Sequence, residues 1–264
     1  MTGRRHGMER KVVLVTGGAQ GLGSASAVAL AKRGCSVVVA DIKCNDAERV
    51  AAACRDFAPD SYAIGVNLAA AKAARQVVKM AATRLGRLDA LITCAAVAPA
   101  EAFLDMTPAA WETALLVNVR AVALAMAAAG REMMKRGSGR IINVTSAAAR
   151  MALPNYAAYA ATKAAIDSLT RSGAVALAQH GILVNSVSPG MMDTPLQMRT
   201  EEIFHDLEGR RDLEAFKRER TARIPLGRRT TPEEMAETIV WLALDAPAYM
   251  TAARLNASGG LDKD

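Results

Sequence analysis

The sequence predicts an α/β protein with one doubly wound parallel sheet of about seven strands and helices on both faces. Short apolar runs recur between Ala-rich helical stretches, which is the pattern of a parallel sheet buried on both sides. The runs occupy residues 12–15, 37–40, 63–66, 90–93, 141–144 and 183–187. No Pro-, Gly- or Ser-rich linker interrupts the 264 residues, so we expect a single domain over 10–264 after a loose polar segment at 1–9.

The first strand runs directly into a glycine-rich loop, Thr-Gly-Gly-Ala-Gln-Gly-Leu-Gly at 16–23, and a helical pattern follows from Ser24 until Gly34. In this context the glycines permit a tight turn and a close backbone approach to a pyrophosphate at the helix N-terminus. The next apolar run ends in Asp41, about 20 residues past the loop, where a carboxylate can accept both hydroxyls of an adenosine ribose. Asp41 would repel a 2′-phosphate and therefore favours NAD over NADP. The alternative is a purely structural carboxylate that caps a helix or a loop.

Three residues in the second half of the chain could move a proton at a carbonyl. Tyr159 and Lys163 are four apart in Tyr-Ala-Ala-Tyr-Ala-Ala-Thr-Lys (156–163), so they would share one face of a helix. A nearby ammonium would lower the pKa of the phenol from about 10. Ser146, upstream, could hydrogen-bond the oxygen whose charge changes during hydride transfer. Alone, such a Tyr and Lys pair is usually ordinary helix surface, but beside a glycine loop it predicts alcohol oxidation or ketone reduction.

Together these motifs resemble the short-chain dehydrogenase/reductase family in its compact, single-domain form with a Rossmann-type fold. The spacing Thr-Gly-x-x-x-Gly-x-Gly is that family's pattern, and Ser146 precedes Tyr159 by the usual interval. Pro189-Gly190 followed by Thr194 resembles the loop that holds the nicotinamide carboxamide. The resemblance implies a catalytic set of Asn118, Ser146, Tyr159 and Lys163. In it, Tyr159 exchanges the hydroxyl proton, Lys163 holds the ribose and lowers the Tyr159 pKa, Ser146 positions the substrate oxygen, and Asn118 holds a water for proton relay.

The same resemblance implies a cofactor site, a substrate pocket and a lid. The implied NAD-binding residues are Gly17, Gln20, Gly21, Leu22, Gly23, Asp41, Ile42, Asn67, Leu68, Cys94, Ala95, Ala96, Tyr159, Lys163, Pro189, Gly190, Met192 and Thr194. The implied substrate-binding residues are Ser146, Ala147, Ala148, Arg150, Asn155, Tyr156, Met191, Met192 and Arg199. Residues 191–224 resemble the family's substrate lid, and their many basic side chains are expected to pair with neighbouring acids along helices.

Two departures from the family pattern concern the cofactor site. Thr93-Cys94-Ala95-Ala96 replaces the usual Asn-Asn-Ala-Gly, so a small shift of the cofactor or of the fourth strand is expected. Asn67 replaces an Asp that accepts from the adenine amino group, and its carbonyl can still accept that bond without charge assistance.

The substrate is the least determined part of the prediction. A preference for NAD points first to the oxidation of a polyol or sugar alcohol. An anionic substrate such as a sugar acid or sulfonated sugar is the second hypothesis, because of Arg150 and the basic lid. A noncatalytic dinucleotide-binding sensor or scaffold is the third, since fold does not fix function.

Composition argues against several other classes of protein. The four cysteines show no Cys-x-x-Cys spacing and the three histidines no paired ligand set, so no metal is predicted. The sequence has no Gly-x-Ser-x-Gly elbow, so a serine hydrolase is not predicted. The net charge is +7, but the basic residues are interleaved with acidic ones along the chain. No nucleic-acid module is recognisable, so no nucleic-acid partner is predicted.

The sequence also bears on location and assembly. No apolar segment follows the first basic residues, so we predict no secretory signal and a cytoplasmic protein. The most apolar stretch, 109–129, contains Glu112, Asn118 and Arg120 and therefore predicts a packed helix rather than a membrane partner. By resemblance, this helix and the one that carries Tyr159 would form the interface of a homodimer or homotetramer.

Overall fold

A computed structural model describes residues 10–262 and confirms the predicted doubly wound sheet. The prediction of a loose segment at 1–9 lies outside the described residues. Within residues 10–262, seven parallel strands form one sheet in the order β3-β2-β1-β4-β5-β6-β7. The strands are β1 (Val12–Thr16), β2 (Ser36–Asp41), β3 (Tyr62–Gly65), β4 (Ala90–Thr93), β5 (Gly139–Val144), β6 (Ile182–Pro189) and β7 (Arg254–Ala257).

Helices cover both faces of the sheet. They are α1 (Gly21–Lys32), α2 (Cys44–Arg55), α3 (Ala73–Leu85), α4 (Pro108–Ala114), α5 (Ala121–Met134), α6 (Ala157–Ala178), α7 (Pro195–Leu207), α8 (Leu213–Ala222) and α9 (Pro232–Leu244). A π-helical segment, Leu115–Arg120, joins α4 to α5, and short 3₁₀ turns form at Phe103–Asp105 and Ala147–Arg150. Threonines cap α7 and α9: Thr194 accepts from the Gln197 amide and Thr231 from the Glu234 amide.

Two hydrophobic cores lie on opposite faces of the sheet because successive strand residues point in opposite directions. In β1, Val13 and Val15 pack with α1, α2 and α9, whereas Val12 and Leu14 pack with α3, α5 and α6. All four side chains are buried. This burial on both sides explains why the strand sequences are continuous apolar runs rather than alternating ones.

The strand order reverses at β1, which has β2 on one side and β4 on the other. In sheets of this kind, ligands bind in the crevice at the carboxyl ends of the strands beside such a switch point. The loops that follow β1, β4, β5 and β6 all leave the sheet at this edge. They carry residues 17–20, 94–97, 145–146 and 190–194, which are the segments named by the sequence motifs.

One helical stretch of the described chain, Pro108–Met134, is long and apolar enough to cross a membrane by length and composition alone. In its most apolar window, 44% of the residues are buried inside the protein. Asn118 is fully buried at its centre, within the π-helical segment. The stretch packs against α3 and α6 as a core helix does, and the absence of a membrane partner stays a prediction.

Candidate active site

The glycine loop lies so close to neighbouring backbone that two of its glycines have no room for a Cβ atom. Gly17 has a φ of +68°, and a Cβ on it would lie 2.5 Å from the backbone of Ala95. A Cβ on Gly23 would lie only 2.0 Å from the Gly17 carbonyl oxygen. The loop therefore packs tightly onto the segment after β4. No side chain caps the N-terminus of α1 through a hydrogen bond. No acidic side chain occupies the first turn of that helix, so the turn suits an anion.

A groove extends from this loop along the carboxyl edge of the sheet. The structure brings fourteen of the predicted cofactor residues into its lining: Gly17, Gln20, Gly21, Leu22, Gly23, Asp41, Ile42, Asn67, Leu68, Cys94, Ala95, Ala96, Met192 and Thr194. The other four, Tyr159, Lys163, Pro189 and Gly190, line an adjoining cavity. Residues that the sequence motifs did not point to also line the groove: Lys43, Val66, Val97, Val117, Pro195 and Leu196. The sequence could have pointed to them only by position, because each lies within three residues of a predicted site residue.

Asp41 lies at the end of β2 with both carboxylate oxygens on backbone amides. Its Oδ2 accepts from Ala19 N at 3.1 Å, and its Oδ1 accepts from Lys43 N at 2.9 Å. The carboxylate thus ties the glycine loop to the turn before α2, which is the structural role left open by the sequence. It still lines the groove, where a ribose hydroxyl could reach it. Lys43, next to it, donates to Gln20 Oε1 at 3.1 Å.

The adjoining cavity, called here the catalytic cavity, contains Tyr159 and Lys163 from α6 and Ser146 from the turn after β5. Tyr159 and Lys163 are both buried. The Lys163 ammonium donates to the Val144 carbonyl at 2.8 Å and lies 5.5 Å from the centre of the Tyr159 ring. The helix and the strand β5 therefore position the three groups together, and Tyr159 and Lys163 share one face of α6 as their four-residue spacing predicted.

Burial controls the proton affinities in this cavity. It raises the pKa of Tyr159 to about 12, and the hydrogen bond with Ser146 works against that rise. Burial also lowers the pKa of Lys163 to about 8, with Cys94 and Asp167 opposing it. Lys163 is not among the causes of the shift in the Tyr159 pKa, so its expected lowering of that pKa stays a prediction. The Lys163 ammonium donates to a backbone carbonyl, and the loss of hydration of the Tyr159 phenolate is the largest influence on the Tyr159 pKa.

Asn118 is held in place by the π-helical segment, a type of turn that often lies at functional sites. Its Nδ2 donates to Val97 O at 2.8 Å and to Thr162 Oγ1 at 3.0 Å, while its Oδ1 accepts from Val97 N at 2.9 Å. The side chain thus connects the segment after β4 to α6. Both amide hydrogens are used, so the proposed relay water could reach only the remaining acceptor of this side chain.

The segment Thr93-Cys94-Ala95-Ala96 keeps the sheet in register despite its departure from the family pattern. β4 pairs with β1 and β5 through Thr93, and Cys94 N donates to Thr16 O at 3.1 Å. Thr93 Oγ1 donates to Asn143 Oδ1 at 3.0 Å, and Asn143 Nδ2 donates to Thr170 Oγ1 at 2.9 Å. This buried chain of hydrogen bonds joins β4, β5 and α6, and the expected shift of the cofactor or of the fourth strand stays a prediction.

Of the predicted substrate residues, the structure brings Ser146, Tyr156 and Met192 into the catalytic cavity. Ala147 and Ala148 are buried beside it, and Asn155 accepts from Glu101 N at 3.2 Å through its backbone carbonyl.

Three predicted substrate residues lie elsewhere. Met191 lines a separate cavity with Ile224 and Ser258, because successive residues of an extended segment point to opposite sides. Arg150 is exposed, and its charge acts on Asp167 of α6. Arg199 lines the cofactor groove rather than the catalytic cavity.

The predicted lid consists of α7, α8 and their connections, and several of its basic residues pair with acids, as expected. The exposed pairs are Lys217 with Glu214, and Arg210 and Arg223 with Glu219. An ion pair that the sequence did not predict joins the buried Glu201 to Arg229, which follows the lid. Among the described residues, no three His, Cys, Asp or Glu side chains cluster as metal ligands would.

The comparisons with known proteins agree with this geometry. A family model described as "Enoyl-(Acyl carrier protein) reductase" matches residues 17–262. Cis-4-hydroxycyclohexanecarboxylate dehydrogenase of Sinomonas cyclohexanicum is 37% identical over 95% of this chain and 96% of its own length. L-rhamnose 1-dehydrogenase (NAD(P)(+)) of a Sphingomonas species is 34% identical over 96% of this chain and 97% of its own length. A crystal structure of actinorhodin polyketide ketoreductase with NADPH superimposes with a TM-score of 0.91 at 27% identity, covering 97% of this chain and 98% of that one.

The fold, the site and these relatives define an oxidoreductase that acts on CH–OH groups with a nicotinamide cofactor. The chain belongs to the short-chain dehydrogenase/reductase family.

Proposed function

We propose that this protein is an NAD-dependent dehydrogenase that exchanges a hydride with an uncharged secondary alcohol or its ketone. The observation that carries the proposal is that the glycine-loop groove and the catalytic cavity share one wall. Five residues line both: Cys94, Ala96, Met192, Thr194 and Leu196. A dinucleotide in the groove would therefore end beside Tyr159.

The residues of the groove fit a dinucleotide. The bare N-terminus of α1 suits a pyrophosphate, and the contacts around Gly17 and Gly23 leave room only for backbone there. Asp41 and Asn67 would hold the adenosine end, and Lys163 the ribose next to the nicotinamide. The nicotinamide would supply or accept the hydride.

The proton steps fall to the chain's own residues. In oxidation, Tyr159 would take the hydroxyl proton of the substrate, and in reduction it would return that proton to the carbonyl oxygen. Ser146 would hold the same oxygen through a hydrogen bond. Because Tyr159 and Lys163 are buried, these bonds form with little competing water.

The lining of the catalytic cavity favours an uncharged substrate over an anionic one. Apart from Lys163, its lining residues are neutral. Arg150 is exposed and does not line this cavity, and several basic residues of the lid are paired with acids. Cys94, Ala96, Met192 and Leu196 offer apolar contacts, while Thr145, Ser146 and Gln197 can hydrogen-bond hydroxyls. A cyclic polyol or sugar fits this mixture, and one of the two relatives is named for the uncharged sugar L-rhamnose. The other is named for a hydroxycyclohexanecarboxylate, an anion, so the assay below includes acids as well.

An assay of NAD reduction across polyols, sugars, sugar acids and cyclic secondary alcohols, at roughly pH 7 and pH 9.5, tests the function. We expect activity on one uncharged class and faster oxidation at the higher pH, because the phenolate fraction of Tyr159 rises about tenfold per pH unit below its pKa. Activity confined to sugar acids would favour the anionic hypothesis. NADH binding with no turnover on any alcohol would favour the noncatalytic sensor or scaffold.

The preference for NAD depends on Asp41. Replacing Asp41 by Asn should raise kcat/KM for NADP relative to NAD by at least about tenfold, because a charge that repels the 2′-phosphate is lost. The ratio of kcat/KM for the two cofactors measures this effect. Asp46→Asn is the matched control, since Asp46 is a neighbouring carboxylate that pairs with Arg49 and does not line the groove. An unchanged ratio in Asp41→Asn would contradict the assignment of Asp41.

The proposed assembly is a homodimer or homotetramer in the cytoplasm. Apolar side chains support it, because Leu115 of the π-helical segment, Met134 at the end of α5 and Val175 of α6 are exposed. These helices are those that the family resemblance assigns to a subunit interface.

A further inference from the structure

Glu201 is a fully buried carboxylate in the middle of the lid helix α7, with 0% of its side chain exposed. Its Oε2 accepts from Arg229 Nη1 and its Oε1 from Arg229 Nη2, both at 2.9 Å. Its Oε1 also accepts from Arg220 Nε at 3.2 Å. Arg220 belongs to α8 and Arg229 to the segment before α9. One carboxylate therefore holds together three parts of the chain, of which α7 lines the catalytic cavity through Leu196 and Gln197.

A continuous series of ring contacts leads from this ion pair to the catalytic tyrosine. The Arg220 guanidinium lies 5.0 Å from the centre of the Phe204 ring, and Phe204 meets Tyr156 edge to face at 5.1 Å. Tyr156 stacks on Tyr159 with ring centres 4.3 Å apart and an interplanar angle of 22°. Both tyrosines, Phe204 and Phe216 form one hydrophobic cluster with Ala148.

The helix α7 contacts Tyr156 a second time through the residue before Glu201. The Thr200 hydroxyl forms a hydrogen bond with the phenol of Tyr156, whose pKa burial raises well above its usual value. Tyr156 also lines the catalytic cavity. The position of α7 thus decides where this wall of the cavity lies relative to Tyr159.

Loss of the Glu201 charge would favour an open lid. Two largely buried guanidinium groups would remain beside a neutral side chain, with Asp193 at 3.8 Å from Arg229 as a more distant carboxylate, and breaking one partner of such a pair is unfavourable. Lifting α7 and α8 returns these groups to water. If substrate binds only to the closed form, a smaller closed fraction raises the apparent dissociation constant in proportion. Turnover of the bound complex then changes little.

We propose that Glu201 is a positioning residue of the catalytic cavity, which keeps α7 and α8 closed over Tyr156 through Arg220 and Arg229. The effect on KM rests on the proposed function, because it takes the cavity beside Tyr159 as the substrate site. The effect on lid closure does not depend on it.

The first experiment compares Glu201→Gln with Glu214→Gln under the assay of the proposed function. Glu214 lies in the same lid, but its ion pair with Lys217 is exposed, so its loss removes the same charge without uncovering a buried cation. We expect Glu201→Gln to raise the substrate KM at least about tenfold with kcat within about threefold of wild type. Glu214→Gln should match wild type. Glu201→Asp should recover part of the KM effect, because it restores the carboxylate.

A lower melting temperature in Glu201→Gln with an unchanged KM would overturn the proposal and leave a purely structural role. If Glu201→Gln fails to fold, Arg229→Lys takes its place. It keeps the positive charge and removes the two parallel hydrogen bonds to the carboxylate. The same KM increase is expected, and its absence in a folded Arg229→Lys variant would overturn the proposal.

Limited trypsin digestion tests lid closure even if the alcohol assay shows no turnover. Lysine and arginine are abundant in the lid, and they include Arg210, Arg211, Lys217, Arg218, Arg220 and Arg223. Cleavage in this segment should be about tenfold faster in Glu201→Gln than in wild type or Glu214→Gln, because an open lid exposes the backbone. Equal cleavage rates in all three proteins would overturn the proposal independently of the enzyme's substrate.

Discussion

Replacing Tyr159 by Phe is expected to lower kcat on the order of 10²-fold to 10⁴-fold, the usual contribution of a positioned acid or base. The substitution removes only the hydroxyl that exchanges a proton with the substrate. The ring would still stack on Tyr156 and stay buried in the hydrophobic cluster that it forms with Phe204 and Phe216. NADH affinity and the melting temperature should therefore stay close to wild type, as measured by NADH titration and thermal unfolding.

Tyr62→Phe provides the matched control for this substitution. Tyr62 is also buried, on β3, and its hydroxyl donates to Met80 O at 3.4 Å far from the catalytic cavity. Its loss should leave turnover unchanged. Retention of more than a few per cent of wild-type kcat in Tyr159→Phe would remove Tyr159 from the proton-transfer role.

Replacing Gly23 by Ala is expected to disrupt the dinucleotide groove. Gly23 lies inside α1, where alanine is otherwise the better helix former, so any loss comes from the new methyl group. That methyl group would lie 2.0 Å from the Gly17 carbonyl oxygen and must push the glycine loop away. We expect NADH affinity to fall, and kcat/KM to fall on the order of a hundredfold, because a 1 Å displacement of positioned groups costs about that much.

Gly34→Ala separates this effect from a general loss of stability. Gly34 follows the same helix with a φ of +81°, and nothing lies within 4 Å of a Cβ built there. The substitution should cost about 1–2 kcal/mol of unfolding free energy through backbone strain alone and leave NADH binding intact. Normal NADH affinity in Gly23→Ala would show that the glycine loop does not approach the cofactor.

The sequence could predict those features that depend on local pattern. The six apolar runs became strands because each is short, β-branched and flanked by polar turns, and only β7 lacked such a run. Tyr159 and Lys163 came together because four residues make about one helical turn. The sequence did not show that Met191 lines a separate cavity or that Arg150 is exposed, because the direction of a side chain depends on the backbone around it and on its distant neighbours.

Properties that depend on burial or on distant pairs could not be predicted in the same way. The rise in the Tyr159 pKa could not be predicted, because the spacing shows which groups are close but not how far each is removed from water. The pair of Glu201 and Arg229 joins residues 28 positions apart, with no motif at either end. Only the packing of α7 against the segment before α9 makes it visible.

The environment of Cys94 has a consequence for oxidative stress. This thiol lines both the cofactor groove and the catalytic cavity, where modification would obstruct hydride transfer. Burial raises its pKa to about 12, so almost none of it is present as the reactive thiolate near neutral pH. Peroxide and thiol-specific reagents attack thiolates. The cysteine that replaces the usual asparagine is therefore expected to react slowly with such reagents, even though its side chain is partly exposed and Lys163 opposes the rise in its pKa.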